Sequence, residues 1–207
     1  MDLVVITPPV ALAGEVETAN RLFGAGLGRL HLRRPGFEEA EVEAYVAGVD
    51  AAFRGRVVVH GHHRLAGRWR LKGIHYTEST RPPFPIPSPE PPLTVSTSFH
   101  QLDQLKITDY GALNYAFLSP IFDSISKPGL KASMFDCTSL MAALLSCPIP
   151  IFALGGIAPD KVPSAAALGF SGVAVLGSIW QSSDPVAAFL ELKEACDRVG
   201  PGKSTSG

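Results

Sequence analysis

Short apolar runs recur along the chain, separated by segments of mixed polarity. Residues 149–153 and 173–176 are apolar on both faces, with no alternation of period two, which predicts buried parallel strands. Further runs predict strands at 3–6, 30–32, 56–60, 73–75, 94–98 and 113–118. Between them the spacing becomes helical. Val16, Ala19, Leu22 and Phe23 mark one side of a helix over 15–24, and helices are expected at 37–53, 101–107, 139–145 and 185–199. The connection 61–72 has room for two helical turns at most. Residues 81–92 contain too much proline for a helix interior, so this stretch is expected as an extended crossover on the surface. Eight strands joined by such connections predict an α/β protein: a compact (β/α)8 TIM barrel over residues 1–199, with a proline-rich crossover after strand four and a flexible polar tail at 200–207.

Composition narrows the class. The chain has 207 residues, 46% of them hydrophobic, enough for one well-filled domain. A net charge of -1 gives no electrostatic basis for binding nucleic acid or an anionic membrane. Cys137, Cys147 and Cys196 lack metal-ligand or CxxC spacing and read as reduced thiols of a cytoplasmic protein. The N-terminal run 1–7 has no basic segment or long apolar core, so it reads as a strand and not as a signal peptide. No apolar run approaches the ~20 residues of a membrane span.

Chemistry in a barrel of this kind belongs at the C-terminal ends of the strands. Gly155, Gly156 and Gly177 close the last two strands, where glycine lets backbone N–H groups approach an anion, and with Ser178 they suggest a phosphate cradle. His31, His60, His62, His63, His75 and His100 all fall at or just past strand ends and are expected to line a pocket. Arg33 and Lys127 suit an anionic ligand, with Ser124 and Ser126 as hydroxyl donors. A metal site within the run from His60 to His63 is disfavoured, because alternation sends His62 and His63 in different directions.

In order along the chain, His31-Leu32-Arg33-Arg34-Pro35, Gly73-Ile74-His75, Ser96-Thr97-Ser98-Phe99-His100, residues 115–127, Leu154-Gly155-Gly156-Ile157 and Val175-Leu176-Gly177-Ser178-Ile179 resemble motifs of the thiamine phosphate synthase and thiazole tautomerase superfamily. The family counterparts of the first three are Gln-Leu-Arg-Glu-Lys, Gly-Val-His and Gly-x-Ser-x-His. The resemblance implies a transferase of thiamine biosynthesis, joining hydroxymethylpyrimidine diphosphate to thiazole phosphate with release of pyrophosphate and help from Mg²⁺, without an organic cofactor. It implies Arg33, Ser98 and Lys127 on the diphosphate, Gly155, Gly156, Gly177 and Ser178 on the thiazole phosphate, and His31, Ser124 and Ser126 as further binding residues. The metal-binding aspartates of the family are replaced: its Asn-Asp after strand three reads His60-Gly61, and its second aspartate reads Thr80. Glu78 is the nearby acid available to Mg²⁺. Two alternatives stay open, a metal-independent thiazole phosphate tautomerase using His75 and His100, and a non-catalytic thiazole or thiamine phosphate-binding protein. Small barrels of this type often pair, so a homodimer is an expectation.

Overall fold

The computed structural model describes residues 1–122 and 135–200. Eight parallel strands close in sequence order, each paired with the next and the last with the first. They are β1 (Asp2–Ile6), β2 (Leu30–Leu32), β3 (Val57–Val59), β4 (Gly73–Tyr76), β5 (Thr94–Phe99), β6 (Leu113–Leu118), β7 (Ile151–Leu154) and β8 (Gly172–Val175). Around them lie α1 (Glu15–Gly24), α2 (Glu39–Gly48), α3 (Arg64–Arg68), α4 (Cys137–Ser146), α5 (Val162–Leu168), α6 (Gly177–Trp180) and α7 (Pro185–Arg198). The fold is the expected (β/α)8 barrel, and no helix among the described residues is long and apolar enough to cross a membrane.

Differences from the sequence reading are local. The helix expected over 37–53 ends at Gly48, where Val49 turns extended, and a 3₁₀ segment, Ala51–Arg56, leads into β3. The segment after β5 is likewise 3₁₀, over Leu102–Lys106. Residues 201–207 and the chemistry expected of Ser124, Ser126 and Lys127 lie outside the described residues.

The proline-rich crossover stands where a helix would cover β5. Ile86 is buried, forms an isolated bridge with Gly111, and accepts a hydrogen bond from the Ala112 N–H at 2.8 Å. A Cβ at Gly111 would lie 2.2 Å from the Ile86 carbonyl oxygen, so this close approach requires glycine. Phe84 packs beside Phe99 and Tyr110. A segment unable to form helical hydrogen bonds therefore still shields the sheet, through one apolar plug and two backbone bonds.

Each strand sends alternate side chains inward. The main core lies outside the sheet, between strands and helices. Inside the barrel the filling is divided. Val4, Ile6, Tyr115, Phe117, Phe152 and Ala174 form an apolar cluster contributed by β1, β6, β7 and β8. The facing register positions of β2, β4 and β5 carry His31, His75 and Ser96, all buried. One side of the interior is thus hydrocarbon and the other hydrogen-bonding, a division that positions the site.

Candidate active site

At the C-terminal end of the barrel a cavity of about 240 Å³ is lined by Arg33, His60, His75, Glu78, Ser98 and His100, with Ile6, Phe117 and Leu154 on the apolar side. A second cavity of about 260 Å³ opens at the opposite end beside Met1, Arg29 and Lys72. We take the first as the site, because it lies where strand ends converge.

Arg33 owes its place to its neighbour. Arg34 is 9% exposed, pairs with the buried Glu15 carboxylate, and donates from Nη1 to Thr7 Oγ1 at 2.9 Å. Thr7 Oγ1 also accepts from the Arg33 N–H at 2.9 Å. The loop after β2 is thereby fastened to β1, leaving the Arg33 side chain on the cavity.

The histidines form a connected group. His31 Nδ1 lies 2.8 Å from His60 Nε2, and His31 Nε2 lies 2.6 Å from the Tyr115 hydroxyl. His75 Nδ1 is 2.9 Å from Ser96 Oγ and its Nε2 is 3.1 Å from Ser98 Oγ. Beneath them the Arg29 guanidinium sits 4.4 Å from the centre of the Tyr115 ring. Burial holds the His31 and His60 pKa values well below the ordinary one, assisted at both by the neighbouring His75, at His31 by Arg29 and at His60 by His31 and Arg33. His75 is lowered to about 3, chiefly by burial, then by His63 and Arg33. All three rings are neutral near pH 7.

The predicted residues divide by location. Arg33, His75, Glu78, Ser98 and His100 share the cavity. His31 is fully buried behind it, meeting His60 and His75 through ring contacts. His62 turns away at φ 48°, with Nε2 2.8 Å from the Phe37 carbonyl oxygen, and His63 Nε2 lies 3.2 Å from that of His75. His60, absent from the set of binding residues implied by resemblance, is the lining residue that joins His31 to the cavity.

Leu154 carries the lining directly into Gly155 and Gly156, at φ 102° and 64°. A Cβ at Gly155 would come within 3.1 Å of Pro120, so the turn after β7 packs closely on the loop after β6. Gly177 and Ser178 open α6, which Trp180 anchors by donating from Nε1 to the Ile6 carbonyl oxygen at 2.8 Å.

The family profile described as thiamine monophosphate synthase matches residues 3–179. The chain belongs to this family. The thiamine-phosphate synthase of Salmonella schwarzengrund is 26% identical over 86% of this chain and 86% of its own. Among solved structures, thiamine phosphate pyrophosphorylase from Bacteroides thetaiotaomicron superposes with a TM-score of 0.80 at 27% identity, covering 95% of this chain and 98% of that one. The enzyme of the same name from Pyrococcus furiosus, at 20% identity and a TM-score of 0.77, shares the fold.

Members of the thiamine monophosphate synthase family imply Mg²⁺, and the donors here can be set against that ion. Mg²⁺ takes hard oxygen ligands, typically one or two carboxylates with substrate phosphate. Among the described lining residues the carboxylate is that of the exposed Glu78, whereas the deeper wall offers imidazoles. This set does not fit Mg²⁺.

Proposed function

We propose that the protein is a transferase of thiamine biosynthesis that joins a hydroxymethylpyrimidine diphosphate to a thiazole phosphate. The observation that carries this reading is the convergence of Arg33 and Ser98 on one cavity whose wall continues, through Leu154, into Gly155 and Gly156. A cationic and hydroxyl-bearing wall suits a diphosphate, and the glycine turn suits a monophosphate.

The reaction breaks the bond between the pyrimidine methylene carbon and the diphosphate oxygen, with the electron pair leaving on pyrophosphate. The thiazole nitrogen lone pair then forms the new C–N bond and becomes the thiazolium. No net proton is moved, so the principal requirement is stabilisation of the departing anion. Arg33 supplies a fixed positive charge and Ser98 a hydroxyl donor, with Lys127 assigned to the same anion. Phe117, Ile6 and Leu154 offer an apolar wall for a flat heterocycle. His75, neutral near pH 7, stands behind this wall, 2.9 Å from Ser96 Oγ and 3.1 Å from Ser98 Oγ.

The tautomerase reading draws support from His100, an exposed rim residue whose Nδ1 is 3.0 Å from the Ser119 carbonyl oxygen. His75, with a pKa near 3, is a weak base. In that reading His100 carries the proton.

The test is turnover of the pyrimidine diphosphate and thiazole phosphate with and without chelator, beside calorimetry of thiazole phosphate alone. Thiamine phosphate as product supports the transferase. Proton exchange on the thiazole carboxylate phosphate without synthesis supports the isomerase. Tight binding with neither reaction supports a binding protein.

A further inference from the structure

Adjacent strands bring three imidazoles to one point inside the barrel mouth. His31 comes from β2, His75 from β4, and His60 from the residue that follows β3. One ligand atom from each lies within 4.8 Å of those of the other two. Ring centroids are 5.0 Å apart for His31 and His60, 5.4 Å for His31 and His75, and 4.0 Å for His60 and His75.

The outer nitrogens of the cluster are already held. Tyr115 meets His31 Nε2, and Ser96 meets His75 Nδ1. If those nitrogens carry the protons, lone pairs remain on His31 Nδ1 and His75 Nε2, next to His60 Nε2 and Ser98 respectively. A hydrogen bond on the far nitrogen is what fixes tautomer and ring plane behind a metal-bound histidine. His60 and His75 border the cavity, so an ion held here keeps an open position towards it.

Imidazole nitrogens are borderline ligands, which prefer zinc, cobalt or nickel to magnesium.

We propose that His31, His60 and His75 form a three-imidazole site for a divalent first-row transition ion of the zinc and cobalt type, with its fourth position open to the cavity. Zinc–nitrogen distances of about 2.0–2.1 Å place tetrahedral ligands roughly 3.4 Å apart. The 2.8 Å His31–His60 contact must therefore open slightly, the widest separation must close by up to about 1.4 Å, and the stacked His60 and His75 rings must turn so that their lone pairs converge. In the metal-free protein the proton between His31 and His60 sits on His60 Nε2; on binding, His60 takes the other tautomer, with the proton on Nδ1 and the Nε2 lone pair on the ion. The site does not rest on the synthase reading, although an anionic oxygen entering the open position would also meet Arg33.

The test is metal binding itself. Full-length protein treated with chelator is titrated with Co²⁺, following visible absorption and equilibrium dialysis, with Zn²⁺ as competitor. One Co²⁺ per chain is expected, with the intense visible bands of low coordination, displaced by Zn²⁺ but not by millimolar Mg²⁺. His31→Gln and His60→Asn each remove one imidazole ligand and should each abolish these bands, while His62→Ala and His63→Ala leave them. Tyr115→Phe should weaken binding by roughly 10- to 100-fold. Should the variants not fold, imidazole nitrogen NMR of the wild-type protein decides, since Zn²⁺ must shift His31, His60 and His75. No Co²⁺ uptake, uptake unchanged in His60→Asn, or Zn²⁺-induced shifts confined to other histidines would each overturn the site.

Discussion

His60 and His75 stack with ring centroids 4.0 Å apart and planes 20° from parallel. Two imidazolium ions at that distance would repel strongly in a poorly solvated site, so both rings are not charged together, and burial keeps each neutral near pH 7. His31, His60 and His75 all bind protons more weakly in the folded chain than at the ordinary value near 6.5. Below that value the unfolded chain takes up protons that the folded one refuses. Stability of metal-free protein should therefore fall as pH is lowered from about 7, until the folded rings protonate, near pH 3 for His75. Each withheld proton contributes a slope of about 1.4 kcal/mol per pH unit. Urea unfolding between pH 4.5 and 7 checks this: His75→Asn should flatten the dependence, and an equally steep curve in the variant would show that His75 is not among its sources.

A second prediction concerns Glu15, which lies in α1 but supports the site. Its carboxylate pairs with Arg34, and both side chains are 3% exposed. Removing one member leaves a buried charge alone, which costs about 3–5 kcal/mol. Glu15→Ala should lower stability by that order and release the β2 loop. Because Arg33 is carried on the loop, the protein that remains folded should bind pyrophosphate more weakly than wild type. Denaturant unfolding with pyrophosphate calorimetry separates the two effects; unchanged pyrophosphate affinity would mean that Arg33 is positioned without the clamp.

The glycine turn after β7 gives a third. Gly156, at φ 64°, occupies the left-handed region, and a β-branched residue there is disfavoured both by its own backbone and by loss of close access for a phosphate. Gly156→Val should abolish thiazole phosphate binding while the barrel melts within several degrees of wild type. Gly155→Ala, whose Cβ would press on Pro120 at 3.1 Å, should shift the loop after β6 as well. Calorimetry with thiazole phosphate measures both, and full affinity in Gly156→Val would remove the cradle.

Much of this architecture was readable because the barrel strands carry their signal at short range. The limits predicted for β2 and β6 coincide with those observed: Leu30–Leu32 lies between Arg29 and Arg33, and Leu113–Leu118 is closed by Ser119-Pro120. The overrun of α2 arose where Val49 and Phe53 continue the apolar spacing although the backbone has left the helix. The inward histidine cluster was harder to see. His31 and His75 stand at inward positions of their strands, but His60 falls in a run with His62 and His63 that the left-handed backbone at His62 breaks apart. The signal that finds it is parity across paired strands. His31 is in register with Val58, and His60, two residues further on, points to the same side. The partnership with Tyr115 needs barrel closure, which no local pattern contains.

The last prediction tests how the proline-rich crossover is held. Arg81 donates from Nη1 to the Ser98 carbonyl oxygen at 2.9 Å and to Thr97 Oγ1 at 3.2 Å, and its guanidinium lies 5.3 Å from the ring centre of Phe84 and 5.4 Å from that of Phe99. It therefore joins the start of the crossover to the end of β5, the strand that presents Ser98. A methionine keeps much of the apolar stem but donates no hydrogen bonds and carries no charge. Arg81→Met should cost about 1–3 kcal/mol, the range for leaving buried polar partners unsatisfied. It should also expose residues 82–92 to protease, because Phe84 and Ile86 are then the main remaining ties. Limited proteolysis with mass spectrometry reads the second effect directly: cleavage within that stretch, faster than in wild type, is expected, and unchanged resistance would assign retention of the crossover to Ile86 and its bridge with Gly111.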